Sequence, residues 1–252
     1  MKPSAIGRIL FWRGGSLWIG LAGAPADFHA HHALQLTLPF SPGRVQLKKP
    51  SEDWTTYEAA IVAPEQRHAF DGRGQFMAQI FIEPESKDGQ KLKAYCATQG
   101  LCALNAAAFK DEITALAVAF ERRGTDAELI DLAQRLVRKL SGSSGLENSC
   151  DERIALAIEK IRANLSKTIS LDALAKSVHL SPDRFRHLFL EETGVRLRPY
   201  ILWLRLERSL VAYVNGCSLT DAAHDGGFAD SAHFSRTFKK MFGITPASVR
   251  PE

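Results

Sequence analysis

Residues 226–243 read GGFADSAHFSRTFKKMFG. Phe234, Phe238 and Phe242 recur at every fourth position, which puts three rings on one side of a helix. Arg236, Lys239 and Lys240 fall between them and point elsewhere. One face of this helix is built for burial, and the other offers cations to something outside.

The same grammar occurs earlier in the chain. SLDALAKSVHLSPDRFRHLFLEETG (170–194) aligns with SLTDAAHDGGFADSAHFSRTFKKMFG (218–243). Ala175 falls on Ala223 and Leu180 on Phe228, while Phe185 falls on Phe234, Phe189 on Phe238 and Gly194 on Gly243. The offset grows by one residue across the turn. Each copy reads as helix, tight turn, helix and glycine stop. A small alanine admits close approach of the second helix, and an apolar turn residue plugs the corner. This is the pattern of a helix-turn-helix, and it occurs twice.

Between the copies, RPYILWLRLERSLVAYVNG predicts an apolar-rich helix from Tyr200 to Asn215. At ~1.5 Å rise per residue it is roughly 24 Å long. Second helices docked near its two ends could sit about one duplex turn (~34 Å) apart and enter successive major grooves on one face of DNA. The outward residues of the first copy are Asp183, Arg184, Arg186 and His187.

The tail DAAHDGGFADSAHFSRTFKKMFGITPASVR resembles the signature of AraC/XylS-family transcription regulators. Ala223, Gly227, Phe228, Asp230, Ser231, Phe234, Arg236, Phe238, Lys239, Gly243 and Pro246 match it. Three positions depart from it: Ala222 stands for the usual isoleucine, Gly226 for valine or alanine, and Val249 for the tyrosine before Arg250. Gly226 and Gly227 are expected to weaken the end of their helix by roughly 1 kcal/mol each if helical. The resemblance covers about 100 C-terminal residues. It implies base-facing roles for Asp183, Arg186 and His187 in the first copy, and for Ser231, Ala232, His233 and Arg236 in the second. Lys239 and Lys240 suit phosphate. Arg236 is the foremost candidate for base reading, because a guanidinium can take guanine O6 and N7 together.

Before residue 84 the chain uses short alternating apolar runs. ALQLTLPF sets Leu34, Leu36 and Leu38 on one face and Ala33, Gln35 and Thr37 on the other. AAIVAP and FMAQIFIEP are similar, with Gly and Pro in the gaps, which predicts a small antiparallel sandwich or barrel. DEITALAVAFERRG and TDAELIDLAQRLVRKLSG then repeat at helical spacing, with acidic starts, basic ends and terminal glycines. They predict a helical hairpin that either closes this region or meets a second copy. SGSSGLENSC (141–150) reads as a flexible linker.

FHAHHALQLTLPFSPG and APEQRHAF carry four histidines. His29-x-His31-x-x-x-Gln35 resembles the first motif of cupin barrels, and His68 after Pro64 resembles part of the second. Gln35 stands where a cupin has a metal-binding glutamate, and a neutral amide is a poor ligand for a divalent ion. The expectation is therefore a cupin-like barrel without metal, in which Trp18, Gln35 and His68 line a pocket. In AraC/XylS regulators such a barrel binds a small molecule or dimerises. The rival readings are a metal-dependent cupin enzyme fused to a DNA-binding tail, and an effector-independent DNA-binding dimer.

Composition sets the outer bounds. The 252 residues are 45% apolar and 24% charged, with a formal net charge of +4. Residues 151–252 hold 15 Lys and Arg against 12 Asp and Glu, so charge alone does not announce a nucleic-acid binder. Cys96, Cys102, Cys150 and Cys217 form no C-x-x-C pair, which suits reduced thiols rather than zinc or a disulfide framework. No signal peptide or bilayer-spanning run is legible, which predicts a cytoplasmic location. The combined expectation is an α+β chain. Residues 1–140 form a cupin-like β-barrel sensor with a helical hairpin, 141–150 a linker, and 151–252 an all-α double helix-turn-helix domain. No catalytic residue, cofactor or metal is expected. The partners are double-stranded DNA, RNA polymerase, a small-molecule effector and a second copy in a homodimer. The role is that of a bacterial activator.

Overall fold

The structure is a computed structural model that describes residues 7–40, 43–96, 99–142 and 150–249. Its described residues fall into two compact units. The first comes from Met1–Glu147 together with Lys239–Glu252, and the second from Asn148–Phe238. Most of the 141–150 linker expectation, residues 143–149, lies outside the described residues.

The first unit opens with nine strands: β1 (Gly7–Trp12), β2 (Gly15–Ala22), β3 (Ala26–His29), β4 (Leu34–Pro39), β5 (Val45–Lys48), β6 (Thr55–Tyr57), β7 (Ala60–Val62), β8 (His68–Asp71) and β9 (Gln75–Ile82). Helix α1 (Lys87–Leu92), strand β10 (Leu101–Ala103) and helices α2 (Lys110–Glu121) and α3 (Asp126–Ser141) follow. One sheet runs β1-β2-β9-β4-β7-β10 and the other β3-β8-β5-β6, every pair antiparallel. The expected closed barrel is therefore corrected to two open sheets. Closure needs the edge strands to pair. Here β1, β10, β3 and β6 remain edges, and no ladder joins the sheets among the described residues.

The helical hairpin closes this unit. Leu116, Leu129, Ala133 and Leu136 pack in one core with Leu34, Leu36 and Leu38 of β4. Thr125 caps α3 by accepting the Glu128 N–H at 3.2 Å, and Gly142 ends it in the left-handed region at φ +62°. All six residues of β4 are buried. Its leucine face lies under the helices, so its other face, Gln35 and Thr37, is buried as well. An alternating strand with one solvated side would have put those polar groups in water.

The second unit is helical: α4 (Glu152–Ala163), α5 (Leu171–Ser177), α6 (Pro182–Thr193), α7 (Leu197–Val214), α8 (Leu219–Asp225) and α9 (Ser231–Phe242), the last reaching it through Phe238. Helix α7 starts three residues before the expected Tyr200. Pro199 falls in its first turn, where a missing N–H forfeits no intrahelical bond. Its 18 residues make it roughly 27 Å long. Arginines stitch it in place. Arg205 donates to the carbonyls of Leu165 and Lys167 at 3.0 and 3.2 Å, Arg208 takes Asp225 in a fork at 3.0 and 2.9 Å, and Glu207 accepts from Arg162 at 3.0 Å.

Candidate nucleic-acid interface and an internal histidine cluster

The sequence repeat is a backbone repeat. Ser170 and Ser218 cap α5 and α8, accepting from Ala173 and Asp221. The Leu180 N–H then donates to the Ala175 carbonyl at 3.0 Å, and Phe228 N–H donates to Ala223 at 2.9 Å. The residue before each turns left-handed, His179 at φ +56° and Gly227 at φ +83°. Ala175 and Ala223 are fully buried. The extra residue of the second copy is Ala229, after which Asp230 replaces Ser181 as the cap. Asp230 accepts the His233 N–H at 2.6 Å, whereas Ser181 accepts that of Arg184 at 3.3 Å. This main-chain bond holds the Asp230 carboxyl below its ordinary range.

The two glycines expected to loosen α8 instead end it. Gly226 is its C-cap, and a Cβ there would lie 2.0 Å from Ser209 Oγ and 2.5 Å from the Arg205 carbonyl oxygen. Helix α8 approaches α7 at that point, and only glycine fits. Gly227 supplies the left-handed turn.

Phe185, Phe189, Phe234 and Phe238 are all buried. Phe242 is buried too, in the segment grouped with the first unit. Opposite these rings, Asp183, Arg184, Arg186 and His187 are exposed on α6. On α9, Ala232, His233, Arg236, Lys239 and Lys240 are exposed and Ser231 is half-buried. The two faces differ in one respect. Arg186 is tied to Asp183 at 2.5 Å across one helical turn, and the His233 ring meets Phe228 edge-on at 5.1 Å.

In the first unit, Trp18 and Gln35 line a cavity of about 100 Å³ together with His29, Met77 and Phe81. His68, expected in that lining, stands behind it: its ring lies 4.2 Å from that of His29, its cross-strand partner on β3. His31, in the β3–β4 connection, completes a buried trio in which one ligand-capable nitrogen from each ring lies within 4.8 Å of the others. Gln35, in place of a carboxylate, speaks against a metal; the fold brings three imidazoles together regardless. Each Nδ1 faces a main-chain carbonyl, His29 to Asp27 at 2.7 Å, His31 to Ala33 at 2.8 Å and His68 to Gln66 at 2.8 Å. A carbonyl only accepts, so Nδ1 carries the proton and Nε2 keeps its lone pair in His29 and His68, while the His31 Nε2 faces the Gln35 side-chain oxygen at 2.9 Å. Burial pushes His29 down to about 3, with His31 nearby adding to the shift. Burial likewise lowers His31 and His68. The trio is neutral at pH 7.

A family model described as a helix-turn-helix domain matches residues 174–252. The HTH-type transcriptional activator RhaS of Escherichia coli is 33% identical over 117 residues, 46% of this chain and 41% of its own. RhaS from another strain aligns over 190 residues at 27% identity, 71% of this chain and 65% of its own. Residues 174–252 are thus a helix-turn-helix domain. The chain spans about two fifths to two thirds of the length of these curated relatives. In fold, apo ToxT from Vibrio cholerae superposes with a TM-score of 0.62 at 14% identity, covering 95% of this chain and 97% of its own. Unsaturated fatty acid-bound ToxT gives 0.53 at 16%, covering 88% and 89%.

Within the helix-turn-helix domain the repeat had marked which side of α6 and α9 is exposed, but not the arginines that fix α7. Arg205 and Arg208 read as generic surface cations, because their acceptors lie 17 to 40 residues away in the chain. In the first unit, the missed lining residue is His29. Its signal was the His-x-His spacing, which carries the chain from β3 into the β4 connection.

Proposed function

We propose that this protein is a sequence-specific DNA-binding transcriptional regulator acting as a cytoplasmic activator. Residues 151–252 engage double-stranded DNA, residues 1–140 take up a small-molecule effector, and 141–150 links them. The single observation that carries the reading is the doubled helix-turn-helix, repeated down to its turn hydrogen bonds. Each outward face offers side chains suited to base edges and phosphates. Arg236 takes guanine, with Ser231, Ala232 and His233 beside it; Asp183, Arg184, Arg186 and His187 read the second groove. Lys239 and Lys240 hold phosphate. The small-molecule role is supported by the cavity beside Trp18 and Gln35. Activation is the role that RhaS is named for; RNA polymerase is the partner such an activator would engage, and a homodimer would pair two such sites. The first unit has no catalytic role in this reading. Among the described residues no helix is long and apolar enough to cross a membrane.

The test is selection of bound duplexes from a random library by the full chain at fixed salt. The expected winner is one asymmetric site with two blocks of sequence preference about a helical turn apart. Enrichment of no sequence would contradict the reading.

A further inference from the structure

We propose that the cavity beside Trp18 takes an uncharged molecule with a single aromatic ring and one hydroxyl, of the phenol class, and that Gln79 is the side chain that hydrogen-bonds it. The inference rests on the effector reading above and names the class of ligand for that site.

Strand register lays the floor of the cavity. Gln79 of β9 stands opposite Trp18 of β2 and Thr37 of β4, and Phe81 stands opposite Gln35. Side chains alternate along a strand, so these residues share the face of their sheet turned away from the helices. The Trp18 and Phe81 rings lie 5.1 Å apart and give that floor an aromatic side, which favours an aromatic guest. Size limits the guest further. An apolar cavity of ~150 Å³ takes benzene. The volume here is about 100 Å³, so one small ring fills it and a fused pair does not fit.

Charge is excluded by the wall. No Asp or Glu lines the cavity among the described residues, and Arg8 is the charged side chain there. Asp126 and the Gly124 carbonyl already engage that guanidinium. His29 is neutral at pH 7, because burial holds it at about 3. A carboxylate or an ammonium would therefore be buried without a counter-charge, which is costly.

Hydrogen bonding supplies the hydroxyl. Gln35 already meets His31 and Thr37, each at 2.9 Å. Gln79 also lines the cavity and is half-buried, and its amide meets no hydrogen-bond partner among the described residues. An amide both donates and accepts, so one hydroxyl satisfies it in either sense. A sugar would bring several hydroxyls to this one open amide, and each group left unmet weakens binding.

The test is calorimetric titration of the full chain at pH 7 with phenol, benzene, benzoate and glucose. The expected result is one phenol per chain, bound roughly three- to tenfold more tightly than benzene for its one hydrogen bond. Benzoate and glucose should bind at least roughly tenfold more weakly than phenol. Gln79→Leu should lose the margin of phenol over benzene and keep the affinity for benzene, which also shows that the variant is folded. No uptake of phenol, tighter binding of benzoate or glucose, or an equal loss of phenol and benzene in Gln79→Leu would overturn the inference. DNA footprints taken with and without each probe keep the two readings apart. Benzoate or glucose that binds best and alters the footprint removes the phenol class and leaves the effector reading standing. Phenol that binds and leaves the footprint unchanged does the reverse.

Discussion

The two units treat polarity in opposite ways. In the second, α6 and α9 bury phenylalanine and turn Arg184, Arg186, His187, Arg236 and their neighbours outward. In the first, β4 buries both faces, so Gln35 and Thr37 turn inward with three neutral histidines. A helix can pack one stripe and leave the rest wet. A strand roofed by helices on one side and facing a second sheet on the other cannot. The contrast sets an exposed, cation-bearing surface against an enclosed, polar interior.

Acidification should break this contrast most forcefully. His29 is held at about 3 in the folded state, against an ordinary 6.5. The unfolded chain therefore binds the proton first, and stability tied to the neutral ring is full above 6.5 and lost as pH falls toward 3. His31 and His68 are shifted in the same direction. Each contributes at most about 1.4 kcal/mol per pH unit within its window. Thermal unfolding followed from pH 7 to pH 5 should show the first unit losing stability far faster than the second, and His29→Asn should flatten that slope.

Next in size is the aromatic core of the first helix-turn-helix. Phe185→Ala leaves a void in a fully buried site and should cost about 3–5 kcal/mol, read by denaturant unfolding of the second unit. Gly226→Ala should cost about 1–3 kcal/mol, because the new methyl meets Ser209 Oγ and a main-chain oxygen that cannot move aside. A neutral outcome would mean that α7 and α8 do not approach so closely.

Smaller effects distinguish the two reading heads. Arg236→Ala should weaken binding to the preferred site by about 1–3 kcal/mol and relax preference at one base pair. In α6, Arg186 must first leave Asp183, so the first head should be the less selective of the two. Lys240→Ala should weaken all sequences alike and lower the salt dependence by about one phosphate contact, measured as binding against salt concentration.

Most of the second unit was legible because a repeat states its own register: Ala175 and Ala223, Leu180 and Phe228 mark the two turns that the main-chain bonds close. What was not legible came from contacts distant in sequence. The fork of Arg208 on Asp225 and the squeeze of Gly226 against Ser209 depend on how α8 lies on α7. In the first unit the strands were readable from alternation, but closure was not, since pairing of edges is a tertiary matter. The histidines were visible as a spacing, but their meeting in one buried cluster depends on the pairing of β3 with β8.

The central claim is that one chain carries two like prongs for one side of a duplex. Hydroxyl-radical footprinting of the full chain on its best selected site tests it directly. The account expects two protected patches on the same face, about 10–10.5 base pairs apart, with Arg236→Ala lightening only one of them. A single patch, or two on opposite faces, would contradict it.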